Sequence, residues 1–125
     1  MDKRIILTGD PRTKKNSQRI CVSPTGARFI RPSEQYVAYE KACLWQLKGK
    51  RWQLAGPLNL KCGYYMATRR KVDLCNLLEA TCDILVKAGV IVDDNSTVVA
   101  SHDGSRVRYD KTNPRVEITI EEAQR

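Results

Sequence analysis

The sequence predicts a single small α+β (mixed α/β) domain spanning residues 1–125, in which a mixed β-sheet carries two main helices. Apolar and polar residues alternate over 58–66 and again over 115–121, which is typical of strands with one buried face. Residues 73–88 have the apolar spacing of an amphipathic helix. A chain of 125 residues suits one domain and can bury a core without disulfide or metal staples.

The first half of the chain predicts a strand, a hairpin and a helix. Apolar residues over Lys3–Thr8 indicate the first strand. Arg19–Val22 and Arg28–Ile30 flank a turn sequence and predict the hairpin. The helix is expected to begin after Ser33, a favourable N-cap residue, and to end at Gly49.

The second half predicts a long strand, the second helix and three shorter strands. The long strand covers Leu58–Met66, and the helix over 73–88 is expected to stop at Gly89. The later strands are predicted over Thr97–Ala100, Arg106–Tyr109 and Arg115–Glu121.

The helix over 73–88 divides into three stripes at about 100° per residue. The stripe expected to pack on the sheet holds Leu74, Leu77, Leu78, Thr81, Ile84, Leu85 and Ala88. The opposite stripe holds Asp73, Asn76, Ala80, Asp83 and Lys87. Beside it lie Cys75, Glu79, Cys82 and Val86. Taken alone, Glu79 and Asp83 are interpreted as solvated surface residues, and Asp73 as either an N-cap or a functional carboxylate.

The charge is unevenly distributed along the chain, whose net charge is +8. Residues 1–71 hold 16 basic and 4 acidic side chains, a balance of +12, whereas residues 72–125 hold 6 basic and 10 acidic, a balance of −4. A basic half indicates a polyanionic partner such as nucleic acid, because neutralised phosphates release counterions. A merely solubilising basic surface is the alternative at this point. Carboxylates near phosphate are useful only when a cation lies between them.

Several classes of protein are not expected from this sequence. No apolar run is long enough to span a membrane, and the first residues lack the apolar region of a secretory signal. The five cysteines are odd in number and form no C-x-x-C pair, so reduced thiols in a cytoplasmic protein are expected. His102, the one histidine, is interpreted as a surface residue in a turn. Trp45 is assigned to the core or to a dimer interface.

The stretch from residue 69 to residue 98 resembles the RusA family of Holliday junction resolvases. The stretch contains Asp73, Asn76, Ala80, Asp83, Leu85, Gly89, Asp93, Asp94 and Val98, and several of these positions match the family pattern in order and spacing. The basic loop with Lys14, Lys15 and Asn16 is also similar to that of the family. The resemblance extends over nearly the whole chain.

The resemblance implies a dimeric, magnesium-dependent endonuclease that cuts four-way or branched DNA by paired nicks, with manganese as a possible substitute ion. It also implies a bacterial or prophage origin. It implies catalytic roles for Asp73, Asp93 and Asp94, of which Asp73 and Asp94 would hold the metal. Glu79, which departs from the family pattern, is added as a catalytic residue and metal ligand by the hypothesis given below. Asn76, Asp83 and Cys75 are assigned supporting positions. The expected phosphate contacts are Lys14, Lys15, Asn16, Arg69, Arg70 and Lys71, although a solvated surface is an equal interpretation for each basic residue alone.

Two departures from the family pattern bear on activity. The second Asp of the pattern is Cys75 here, and thiolate is a poor ligand for a hard cation. The Lys of the pattern is Glu79, which removes a positive group that could contact phosphate. Positions four apart are neighbours on a helix, so the Glu79 carboxylate is expected to replace the missing Asp. The alternatives are a junction-binding protein with a weakened or inactive site, an altered metal preference, and an unrelated RNA-binding or structural protein.

Overall fold

A computed structural model describes residues 2–14 and 18–123 of the chain. Its strands are β1 Lys3–Thr8, β2 Gln18–Val22, β3 Arg28–Pro32, β4 Leu58–Met66, β5 Val99–Ser101, β6 Arg106–Tyr109 and β7 Arg115–Glu122. Its helices are α1 Glu34–Gln46 and α2 Leu74–Ala88. The α+β class with a mixed sheet and two helices is therefore confirmed.

The main sheet has the order β1-β7-β4, with β5 and β6 both pairing with β4. The pairs β1–β7 and β4–β7 are antiparallel, whereas β5 and β6 run parallel to β4. The parallel direction follows from α2, because a strand can return beside its predecessor in the same direction only through a crossover connection. The hairpin of β2 and β3 forms a separate two-stranded sheet, as predicted.

Alternation along the strands sends one set of side chains into the core. The inward residues of β4 are Leu60, Cys62, Tyr64 and Met66, and those of β7 are Val116, Ile118 and Ile120, all buried. The residues between them, such as Lys61 and Thr119, lie on the opposite face of the sheet. That outer face is not covered by α1 or α2, which pack on the core side.

The helix α2 is buried more widely than its apolar stripe predicts. Leu77, Thr81, Ile84 and Leu85 are buried as expected, but so is Ala80, which the periodicity placed on the stripe opposite the sheet. The reason is that α1 packs against this stripe. The Lys87 ammonium lies 2.8 Å from the carboxylate of Glu40 on α1.

The helix ends agree closely with the sequence. The side chain of Ser33 accepts a hydrogen bond from the Tyr36 backbone N–H at 3.2 Å, which caps α1. The helix α1 ends at Gln46 with Leu47 as its C-cap, three residues earlier than predicted, and Gly49 follows with a φ of 84°. Gly89 ends α2 in the left-handed conformation with a φ of 77°, as predicted.

Two features of the structure differ from the sequence predictions. The side chain of Trp45 is 69% exposed on the outer face of α1, so its assignment to the core is wrong. The short strand β5 begins two residues later than predicted, because Asn95 organises a turn by accepting the Thr97 N–H at 2.9 Å.

In the part of the chain that the structure describes, no helix is long and apolar enough to cross a membrane.

Candidate functional site

The loop that follows α2 carries two adjacent carboxylates with different roles. Asp93 shapes the loop, because its side chain accepts the Asp94 N–H at 2.7 Å and the Asn95 amide N–H at 3.0 Å. The Asp94 side chain is exposed. The turn interpretation and the functional interpretation of this loop are therefore compatible, since Asp93 makes the turn that presents Asp94.

Asp94 lies in an electrostatic neighbourhood of like charges. Partial burial, a hydrogen bond with Asp93 and the negative charges of Asp83 and Asp93 raise the pKa of its carboxyl above the usual value. Burial raises the pKa of the nearby Cys82 thiol to about 12, with contributions from Asp94 and Asp83. The charge of Asp83 on α2 therefore acts on Asp94, which lies eleven residues further along the chain.

Asp83 is also the point at which the basic N-terminal loop meets α2. The Lys14 ammonium lies 3.1 Å from the Asp83 carboxylate and 5.7 Å from the centre of the Tyr36 ring. The Tyr36 hydroxyl in turn donates to Glu40 at 3.0 Å. Lys14, a predicted phosphate contact, is therefore held beside the Asp83 carboxylate by an ion pair.

Asp73 lies at the start of α2, at the N-cap position. Its side chain makes no capping hydrogen bond and instead accepts the Asn76 amide N–H at 3.3 Å, while its backbone carbonyl accepts the Asn76 and Leu77 N–H groups. Asp83 follows ten residues later, a rise of about 15 Å along a helix. The structure therefore places Asp73 and Asp83 at different levels of α2.

The two positions that depart from the family pattern are both accessible. Cys75 is an exposed free thiol, and Glu79 is exposed one turn further along α2. Both lie on the helix between the level of Asp73 and the level of Asp83. Among residues 2–14 and 18–123, no group of three or more His, Cys, Asp or Glu side chains lies close enough to hold a metal.

The structure corrects the interpretation of His102 as a simple surface residue. Its Nδ1 lies 3.0 Å from the Leu60 carbonyl oxygen and its Nε2 lies 4.0 Å from the Cys82 sulfur. Because a carbonyl oxygen only accepts, the Nδ1 N–H donates to Leu60, and the Cys82 thiol lies beside Nε2. No sequence pattern signals this pair, because it depends on β5 lying beside β4.

The predicted basic contacts fall into different environments. Arg70 donates to the Asp10 carboxylate at 2.8 Å and to the Pro11 carbonyl at 2.6 Å, so it anchors the N-terminal loop. The Arg69 guanidinium stacks 4.2 Å from the centre of the Tyr109 ring, and Lys71 is exposed. Lys15 and Asn16 lie outside the described residues. Sequence reasoning did not identify Asp10, which organises this loop.

The structure places negative charge around Asp94 and the positive charge of Lys14 beside Asp83. Carboxylates that repel one another favour a cation, and the lysine and arginine side chains beside them favour the phosphate that such a cation would bridge. In a comparison with known protein families, the family model described as endodeoxyribonuclease RusA matches residues 8–121. A comparison with curated proteins gives no match.

Proposed function

Because the chain belongs to the RusA family of endodeoxyribonucleases, we propose that it is a divalent-metal-dependent nuclease that resolves four-way DNA junctions by paired phosphodiester cleavage. The match over residues 8–121 is the observation that carries this proposal, because it includes both the basic loop and the carboxylates around α2. A DNA substrate implies action in the cytoplasm of a bacterial or phage-infected cell.

The carboxylates of this chain fit a hard divalent cation. Asp73, Asp94 and Glu79 offer the carboxylate oxygens that Mg²⁺ prefers, and the like charges around Asp94 would be relieved by a cation. Magnesium keeps several waters and takes only one or two protein carboxylates, so a preformed cage of three ligands is not required. When bound, the cation would polarise a phosphoryl oxygen and acidify its water. We assign Mg²⁺ as the ion, with Mn²⁺ as a substitute.

The residues around the carboxylates have separate positioning tasks. Asp93 fixes the backbone N–H of Asp94 and thereby sets the direction of its side chain. Asn76 holds the Asp73 carboxylate through its amide N–H. Lys14, Arg69 and Lys71 present positive charge to the scissile strand and orient its phosphate.

We propose that the protein acts as a homodimer, because a two-fold dimer matches the near two-fold symmetry of a four-way junction and supplies two nicks. An apolar surface suited to such an interface lies on the outer face of α1. Val37 and Trp45 are both exposed there, at 51% and 69%. Burial of these side chains would stabilise an association of two copies.

The main test compares Asp94→Asn with wild type on a mobile four-way junction and on a linear duplex, with Mg²⁺ and Mn²⁺ each titrated. The expected result is paired, junction-selective nicking by wild type that falls at least a hundredfold in Asp94→Asn while junction binding persists, on the order expected for loss of a metal-assisted step. Asp103→Asn is the matched control, since it removes an exposed carboxylate from a nearby turn. Equal nicking by wild type and Asp94→Asn would contradict the proposal.

The second candidate, a junction-binding protein without cleavage, is favoured by one observation, the replacement of the family's Asp and Lys by Cys75 and Glu79. Junction-selective binding by wild type with no nicking in either metal would establish it and overturn the nuclease proposal.

The pair Cys75 and Glu79 provides its own test. If the Glu79 carboxylate replaces the missing Asp, Glu79→Gln should weaken Mn²⁺ binding and slow nicking, whereas Cys75→Ser should change both little. Isothermal titration measures the affinity and a single-turnover assay measures the rate. Unchanged values for Glu79→Gln would exclude the compensation.

A further inference from the structure

The outer face of the main sheet, on the side away from the helices, contains a basic groove. It has a volume of about 610 Å³ and is open to solvent along its length. The groove residues used below are Arg4, Lys61, Gly63, Tyr65, Arg106 and Arg108. None of them belongs to the carboxylate site around α2 or to the basic loop and strand end assigned to it above.

The strand register puts these cations side by side. In the pairing of β4 with β6, Gly63 lies beside Arg106 and Tyr65 lies beside Arg108. Paired residues of neighbouring strands point to the same face, so both arginines share the outer face with Lys61, two residues before Gly63. Because Gly63 has no side chain, it leaves the floor of the groove open.

The positive charge of the groove is not neutralised within the described part of the chain. Its one acid, Glu117, is paired with Arg115 at 2.7 Å and lies 3.6 Å from Arg4. Lys61, Arg106 and Arg108, by contrast, form no ion pair with residues 2–14 or 18–123.

The lysine of the groove is also held in place. A Cβ added at Gly104 would lie 3.2 Å from the side-chain carbons of Lys61, so the aliphatic stem of that lysine packs against the glycine. Gly104 has a φ of 86°, which a residue with a side chain rarely adopts. The turn therefore supports the lysine stem while leaving its ammonium group at the groove.

We propose that this groove binds the phosphodiester backbone of a DNA arm, as a second contact surface on the side of the sheet opposite α2. Arg106 and Arg108 are two residues apart on β6, a distance of about 6.6 Å along a strand. Two cations at this spacing on one face can contact separate phosphates of one DNA strand. A second copy of the chain is disfavoured as the occupant, because it would bring uncompensated cations together. The inference rests on the proposed function, which makes DNA the ligand.

The test measures binding of a labelled four-way junction and a linear duplex by fluorescence anisotropy, in EDTA so that no cleavage occurs, over a series of salt concentrations. Arg106→Ala/Arg108→Ala is compared with Arg28→Gln/Lys50→Gln, which removes the same number of charges from the hairpin and from the segment after α1. The groove variant should bind about tenfold more weakly, and its salt slope should fall by about 1.8, because each lost phosphate contact contributes about 0.9. The control should bind as wild type does.

A second variant keeps every cation. Gly63→Glu places a carboxylate in the floor of the groove, where a Cβ would meet only the Tyr65 ring at 3.6 Å and the Glu117 carbonyl oxygen at 4.0 Å, both ordinary contacts. It should weaken binding of both DNAs without lowering the thermal midpoint by more than a few degrees.

Each outcome separates this inference from the proposed function. If wild type nicks junctions but both groove variants bind DNA as wild type does, the groove inference fails and the nuclease proposal stands. If wild type binds neither DNA, both fail. Tighter binding of a duplex RNA of the same sequence would also overturn the assignment of DNA to the groove.

Discussion

The contact between Asp10 and Arg70 is expected to determine how firmly the N-terminal basic loop is attached to the segment that leads into α2. The Asp10 carboxylate accepts the Ala67 backbone N–H at 2.9 Å and the Arg70 guanidinium at 2.8 Å. Arg70 also donates to the Pro11 carbonyl at 2.6 Å. The side chains of Asp10 and Arg70 are only 19% and 29% exposed, so solvent screens this pair less than a surface ion pair.

The cost of breaking this contact can be worked from its hydrogen bonds. A hydrogen bond to a backbone N–H contributes about 1 kcal/mol, and a charge-assisted one contributes about 1.5–3 kcal/mol before partial exposure is discounted. Asp10→Ala should therefore lower the free energy of unfolding by about 2–3 kcal/mol, and Arg70→Ala by about 2 kcal/mol. In a domain of this size, the loss of unfolding free energy expected for Asp10→Ala corresponds to a fall of about 10 °C in the thermal midpoint.

The assay is a double-mutant cycle by urea denaturation of wild type, Asp10→Ala, Arg70→Ala and the double variant. The coupling energy should be about 1–2 kcal/mol, since the two side chains share a direct bond. Arg28→Ala, at an exposed position in the hairpin, serves as the control and should change stability by less than about 0.5 kcal/mol. A coupling energy below about 0.3 kcal/mol would refute the view that this pair anchors the loop.

Three further expectations concern the core, the carboxylates and the outer face of α1. Tyr64→Phe removes a buried 2.6 Å hydrogen bond to α2 and should cost about 1 kcal/mol of unfolding free energy in urea titrations. Asp94 should titrate by NMR above a free aspartate, and Asp83→Asn should lower that midpoint by removing a like charge. Because the folded state holds this proton more tightly than the unfolded state, Asp94 favours folding at low pH and loses that contribution as pH rises through its raised pKa. Trp45→Glu should convert a dimer to a monomer in light scattering; an unchanged mass would place the interface elsewhere.

Local patterns were sufficient to predict most of the elements. The alternation over β4 and β7 gave the correct inward residues, because a strand's period of two depends only on which face is buried. Ser33 and Gly89 marked helix ends because capping chemistry is local. The candidate acids were also recognisable, since the family pattern places them at fixed spacings on one helix and its following loop.

What the sequence could not supply depends on pairing between distant segments. The parallel placement of β5 and β6 beside β4 brings His102 to Cys82 and puts Arg106 and Arg108 beside the outward residues of β4. Neither relation leaves a periodic signal in the chain. The ion pair between Asp10 and Arg70 also joins distant segments. Sequence patterns therefore indicated only that Arg70 is a basic residue at the surface or at a phosphate.

The ion pair of Lys14 changes the meaning of the substitution at Glu79. The resemblance to the family pattern places a lysine at that position of α2, so an acid there would remove a cation from the proposed site. In this chain the N-terminal loop delivers an ammonium group to Asp83, one turn further along the same helix, at 3.1 Å. Glu79 and Asp83 are neighbours at a spacing of four residues. The positive charge beside Asp83 thus comes from the N-terminal loop rather than from α2. Its position depends on the contacts of Asp10 with Ala67 and Arg70, which hold that loop.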